Sequence, residues 1–108
     1  MPGKNLPYGL SAEAENDLEE IFDYTLTEFG LDQAVYYTNS IAELIESLPQ
    51  NPKIGKERHE IREELFSILH GKHIIFYRIL PNRIWIIRIL HGNRDIPKIS
   101  SSFPSLKK

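Results

Sequence analysis

Four histidines, His59, His70, His73 and His91, are the side chains with which this 108-residue chain could move a proton near neutral pH. There is no cysteine, so disulfides, thiolate zinc sites and cysteine nucleophiles are all excluded. His91 is the most informative of the four, because it closes an apolar run beside Arg88 and Arg94. It reads either as a capping group hydrogen-bonded toward Asp95 or as a direct contact for a target. His73 reads as a structural residue at a strand start, and His70 as a turn residue. His91 and Asp95 stand at helical spacing, but nothing completes a ligand set, so neither a metal nor a cofactor is expected. A glycine-rich phosphate loop and a Ser-His-Asp arrangement are both missing from the sequence.

The elements that must position these groups centre on Lys72 to Asp95, KHIIFYRILPNRIWIIRILHGNRD. Two runs rich in β-branched and aromatic residues, 74–80 and 84–90, flank Pro81-Asn82 and read as paired strands. A two-residue turn there pairs Leu80 with Arg83, Arg78 with Trp85, Phe76 with Ile87 and Ile74 with Ile89 on one face. The other face then carries His73, Ile75, Tyr77, Ile79, Ile84, Ile86, Arg88 and Leu90. Pro81 followed by Asn82 suits a type II turn. Both faces are apolar, so the pair is either sandwiched inside the protein or offers one face to something outside it. Arg78 opposite Trp85 can form a cation–π contact worth about 0.5 to 2 kcal/mol, or the two can serve as interface anchors. Arg62, Arg88 and Arg94 read as groups poised for carboxylates, either within the chain at Glu63, Glu64 and Asp95 or on a partner.

Before this hairpin, Leu6 to Leu10 fits an edge strand. Ser11 reads as an N-cap, and Ala14, Leu18, Ile21, Phe22, Thr25 and Phe29 set the buried stripe of a helix over about 12–29, ended by Gly30. Asp32 can cap a second helix with the stripe Val35, Thr38, Ile41, Ala42, Ile45 and Leu48, which Pro49 stops. So short a link forces an antiparallel helical hairpin whose apolar seam must lie on a sheet face. Pro49 to Glu60 reads as a surface loop, Ile61 to Leu69 as a third strand-like segment, His70-Gly71 as a tight turn, and 100–108 as a flexible tail. The order is β-α-α-β-β-β, an α+β fold in which an antiparallel helical hairpin packs on a small, mostly antiparallel sheet.

Forty-one per cent hydrophobic content over this length gives one domain with one core, spanning about 6–98. No apolar run approaches the roughly 18 residues of a membrane span, and the first residues do not read as a signal peptide. A cytoplasmic protein that does not engage membranes is expected. Net charge is −2, but residues 1–60 hold twelve acids against four bases, and 61–108 three acids against nine bases. Between Ser11 and Leu48 there are ten acids and no Lys or Arg. A chain so polarised can meet an acidic partner with its basic, apolar sheet side while its acidic half repels nucleic acid, or the acids simply solvate the helices.

The ordered set Tyr8 to Ser11, Ala14, Asp17-Leu18, Ile21, Phe29-Gly30, Ala34, Tyr37, Leu48-Pro49, Gly55, Ile61-Arg62, Ser67, His73 to Arg78, Arg88 to His91 and Arg94-Asp95 resembles the ParE branch of the RelE/ParE toxin superfamily. It covers about residues 8–96. The resemblance implies the toxin of a type II toxin-antitoxin pair, as found in plasmid stabilisation systems, held silent by a cognate antitoxin laid along its sheet and helices. For the ParE branch it implies DNA gyrase as target, met by protein-protein contact without catalysis and without direct sequence-specific nucleic-acid binding. The alternative is the RelE branch, which cuts messenger RNA on the ribosome. That branch carries an arginine three residues before the strand tyrosine, where this chain has Ile74 before Tyr77, and an aromatic hydroxyl near the C-terminus, whereas no tyrosine follows Tyr77. A sequence pI near 6.1 is also a poor start for a ribosome binder. The residues expected to meet target or antitoxin are Arg62, His73, Arg78, Trp85, Arg88, His91 and Arg94.

Overall fold

A computed structural model of the chain describes residues 7–92. Arg94, Asp95 and the segment 100–108 lie outside the described residues. Strand β1 (Tyr8–Leu10) leads into helix α1 (Ala12–Phe29), helix α2 (Leu31–Ser47) and a single 3-10 turn (Leu48–Gln50). Strands β2 (Lys56–Glu57), β3 (Phe66–His70), β4 (His73–Leu80) and β5 (Arg83–His91) complete the fold. The sheet order is β1-β5-β4-β3-β2, antiparallel throughout except for β1, which pairs parallel with β5.

Local chemistry accounts for the hairpin of helices. Ser11 caps α1, its hydroxyl accepting from the Ala14 N–H at 3.0 Å, and also donates to the Ile87 carbonyl at 2.8 Å. The cap therefore ties the helix start to the sheet as well as to itself. Gly30 sits at φ 95° in open space and takes the left-handed backbone that a one-residue link demands. It also serves as the N-cap of α2, so Asp32 is not the cap the sequence suggested but a first-turn acid.

Both helices turn slightly away from the expected stripes. Ala14, Asp17, Ile21 and Thr25 are the buried positions of α1, and Ala34, Ile41 and Ile45 those of α2, with Leu48 just beyond it. Phe29 (68% exposed) and Val35 (43% exposed), assigned to the stripes from sequence, face solvent. Against the inner stripe stand Ile75, Tyr77, Ile84, Ile86 and Ile89, which form the main core.

The β4–β5 register follows the expected pairing from Leu80–Arg83 through Arg78–Trp85 to Tyr77–Ile86, then slips at a bulge. Phe76 pairs with Arg88 and Ile74 with Leu90, so the expected Phe76–Ile87 and Ile74–Ile89 pairs do not form. The bulge reverses side-chain parity, sending Ile89 to the helix side and Leu90 to the other. Asn82 has no positive φ, which excludes the type II turn.

Two further expectations change. The segment 61–69 is a strand only from Phe66, because Glu64 adopts φ 63° and breaks the extended backbone before it. The loop 49–60 contains the two-residue strand β2, paired with Ser67 and Phe66. Most consequentially, the sheet face away from the helices is not left open. Phe76, Ile87, Leu90 and Leu65 are buried there in a second cluster, with Ile61, Ile74 and Trp85 packed on it. The apolar, basic platform expected for a partner is closed.

Candidate functional site

The end of the sheet under the hairpin tip holds a cavity of about 930 Å³, walled by Ile21, Tyr24 and Thr25 of α1, Tyr37 of α2, and His73, Arg88 and His91 of the strands. It brings together three of the residues singled out from sequence, His73, Arg88 and His91.

Tyr37 organises one wall. Its hydroxyl lies 2.7 Å from His73 Nδ1 and 3.3 Å from the His70 carbonyl, and it accepts from the Lys72 N–H at 3.1 Å. It has one proton to give, and the shorter contact goes to His73. His73 is held neutral, its pKa pushed down to about 4 by burial first and by His91 next. A neutral imidazole has the Nδ1 lone pair this bond needs. The His91 ring meets His73 edge-on at 5.3 Å, across the strand pair that joins them. Gly71, at φ 57°, forms the turn between β3 and β4. A Cβ there would stand 2.7 Å from the Tyr37 hydroxyl, so the clasp requires glycine. Ser40 Oγ lies 2.8 Å from His70 Nε2 and pins the same turn to α2.

Asp17 organises the opposite wall. It is 5% exposed and receives Arg88 Nε at 2.7 Å, Arg88 Nη2 at 2.8 Å and the Ile89 N–H at 2.9 Å. Its hydrogen bonds to the guanidinium raise the Arg88 pKa above its ordinary value. The carboxylate also satisfies the Ile89 N–H, on β5 past the stretch Ile84 to Ile86 that β1 pairs. Sequence reasoning placed Arg88 against an acid but named Glu63, Glu64, Asp95 or a partner. The usable signal was position: Asp17 is the one acid on the inward face of α1, between Ala14 and Ile21.

The remaining expected residues lie elsewhere. Arg78 reaches Glu64 at 2.8 Å. It pairs with Trp85 in register, as expected, but the guanidinium over the indole is that of Arg83, 4.6 Å from the ring centroid. Arg62 sits in the 58–65 connection, its N–H bonded to the Arg58 carbonyl at 3.2 Å. Arg58 itself is bound by Glu60 at 2.7 Å and donates to Ser67 Oγ at 3.1 Å. Tyr77, buried between the sheet and the 49–60 loop, donates its hydroxyl to the Pro52 carbonyl at 2.8 Å and accepts from the Gly55 N–H at 3.0 Å. No helix of the described residues is long and apolar enough to cross a membrane.

A helical hairpin across a mixed five-stranded sheet is the architecture of the RelE/ParE toxins. The chromosomal ParDE toxin-antitoxin system of P. aeruginosa superposes with a TM-score of 0.69 at 20% identity, covering 80% of this chain and 95% of that one. The RelBE2 toxin-antitoxin complex of Mycobacterium tuberculosis superposes at 0.61 with 19% identity, covering 80% and 96%. At these identities the likeness is one of fold. Sequence narrows it further. Residues 8–96 match the model of the ParE toxin of type II toxin-antitoxin system, parDE. Toxin ParE1 of Mycobacterium tuberculosis is 36% identical over 92 residues, covering 84% of this chain and 94% of its own length. Toxin ParE1 of Caulobacter vibrioides is 34% identical over 89 residues, covering 82% and 92%. The chain belongs to the ParE toxin family of type II toxin-antitoxin systems.

Proposed function

We propose that the chain poisons DNA gyrase by protein-protein contact, performs no catalysis itself, and is silenced in the cell's cytoplasm by a cognate antitoxin. The observation that favours contact over RNA cleavage is the fate of the arginines. Arg58, Arg78 and Arg88 each hold an internal carboxylate, and Arg83 lies on Trp85. Cleavage through a 2′-hydroxyl needs cations converging on the phosphate and groups that move protons beside it. Guanidinium groups neutralised within the chain supply little of that field. Tyr77, the strand tyrosine, is enclosed and bound at both ends of its hydroxyl. The likeness to toxins solved with their antitoxins supports the antitoxin partner.

A supercoiling assay with purified toxin tests this reading. Inhibition of gyrase or accumulation of cleaved DNA, reversed by antitoxin, is expected. Full gyrase activity at saturating toxin, with codon-phased cuts in translated message, would assign the chain to the ribonuclease class instead.

A further inference from the structure

Among the described residues, nothing covers the aromatic rings on the α1 side of the cavity beneath the hairpin tip. Tyr24 and Phe29 line it, yet they stay 64% and 68% exposed. Ile21 and Thr25, also in the lining, are buried. A volume of about 930 Å³ suits a small organic molecule, whose usual seat is an apolar hollow with a few converging polar groups.

Those polar groups stand where β4 begins and β5 ends. Asp17 and Arg88 satisfy each other and add no net charge. Glu20, the other acid of the lining, is exposed and receives the side-chain N–H of Asn16 at 3.1 Å along its own helix. Lys72 of the β3–β4 turn supplies an ammonium, and His73 and His91, paired in register, supply two imidazoles. Tyr37 gives its proton to Nδ1 of His73, which leaves Nε2–H as the donor of that ring. Burial and the neighbouring His91 hold His73 far below the ordinary imidazole range, and an anion beside the two rings would offset both penalties.

We propose that this cavity binds a small aromatic carboxylate, its ring against Tyr24 and Phe29 and its head against Lys72, His73 and His91. The inference goes beyond the gyrase reading and holds whether or not gyrase is the target. One ammonium and two imidazoles suit a singly charged head. A phosphate dianion calls for a nest of backbone N–H groups, whereas here the Lys72 N–H is taken by Tyr37 and the Gly92 N–H by the Lys72 carbonyl. An organic cation would be favoured by Glu20 alone and opposed by Lys72.

Titration of the full chain with naphthoate, followed by calorimetry and by the imidazole NMR resonances, tests the site. Saturable binding should shift His73 and His91, and naphthylmethylammonium and naphthylmethanol should bind at least about tenfold more weakly. Two variants at exposed positions, Lys72→Glu and Phe29→Ala, each verified as folded by its melting curve, should lower naphthoate affinity by at least about fivefold. Affinity should rise as pH falls from about 8 to about 6, because a bound anion favours the protonated imidazoles. The ionisable groups around those rings are Asp17 and Glu20 on α1, Tyr37 on α2, His70 and Lys72 at the turn, and Arg88 on β5. His91→Gln should flatten the pH slope and His70→Gln should not. Equal affinity for the three naphthyl probes would overturn the proposal, showing an apolar hollow with no seat for a charge. So would unchanged naphthoate binding by Lys72→Glu, or resonance shifts confined to the outer cleft at Leu18 and Phe22.

Discussion

The helical hairpin and the sheet treat their apolar residues in opposite ways. The sheet is basic in sequence and greasy on both sides, yet both sides are shut: the helices cover Ile75, Tyr77 and Ile86, and the second cluster encloses Phe76, Ile87 and Leu90. The hairpin is acidic and needs only one buried stripe, yet it leaves Tyr24, Phe29, Leu31 and Tyr36 well exposed. Surface available to a partner therefore follows what the chain fails to cover, not where its hydrophobic content is highest. The sign of charge at the open surface is negative, the reverse of what the sheet arginines suggested.

The contrast predicts unequal costs of truncation. Phe76→Ala should destabilise by about 3 to 5 kcal/mol, read by urea unfolding, because the closed face leaves a cavity that cannot collapse. A loss below about 1 kcal/mol would show that this face is open after all. Asp17→Ala should cost about 2 to 4 kcal/mol, since it removes both hydrogen bonds from the Arg88 guanidinium and the acceptor of the Ile89 N–H together. Arg88→Ala belongs with it as a fold-stability change, so reduced partner binding by that variant must be judged against its melting curve.

Trp85→Ala should fall between the two regions at about 2 kcal/mol, because the indole is only half-buried and carries Arg83 on its surface. A pH effect is expected beside these truncations. His73 titrates at about 4 in the folded protein against an ordinary 6.5, so below pH 6.5 the unfolded chain takes up a proton that the folded chain refuses. Its contribution is complete above pH 6.5, declines as pH falls toward 4, and is gone below that. The difference between wild-type and His73→Gln melting curves over this window should show that slope, and parallel curves would remove His73 as its source. Phe29→Ala should change stability by no more than about 0.5 kcal/mol, as an exposed residue at the tip.

The helices were legible because each carries its own punctuation: Ser11 as a cap, Gly30 at the link, Pro49 after the end, and a clear stripe between. The hairpin register was legible only as far as Tyr77 and Ile86. Beyond it Ile86, Ile87, Ile89 and Leu90 are all apolar, so alternation carries no parity signal and a one-residue slip costs nothing visible in sequence. Strand β2 is two residues long and has no pattern to find. The start of β3 was misplaced because the positive φ of Glu64 has no local cue, unlike a glycine. Within the candidate site, His73 and His91 were found as strand-end residues, and their pairing follows from the register. Tyr37 and Asp17 entered only in the set of residues that carries the family resemblance, with no role assigned. Their partners lie 36 and 71 residues away, a separation at which no periodicity reports contact.

Hydroxyl-radical footprinting of the free, folded protein, read residue by residue by mass spectrometry, compares the two regions in one experiment. Tyr24, Phe29 and Tyr36 should be labelled at rates close to those of the unfolded chain, while Phe76 and Tyr77 stay protected. Labelling of Phe76 as fast as that of Phe29 would contradict a closed sheet with an open hairpin, and would return the partner surface to the strands.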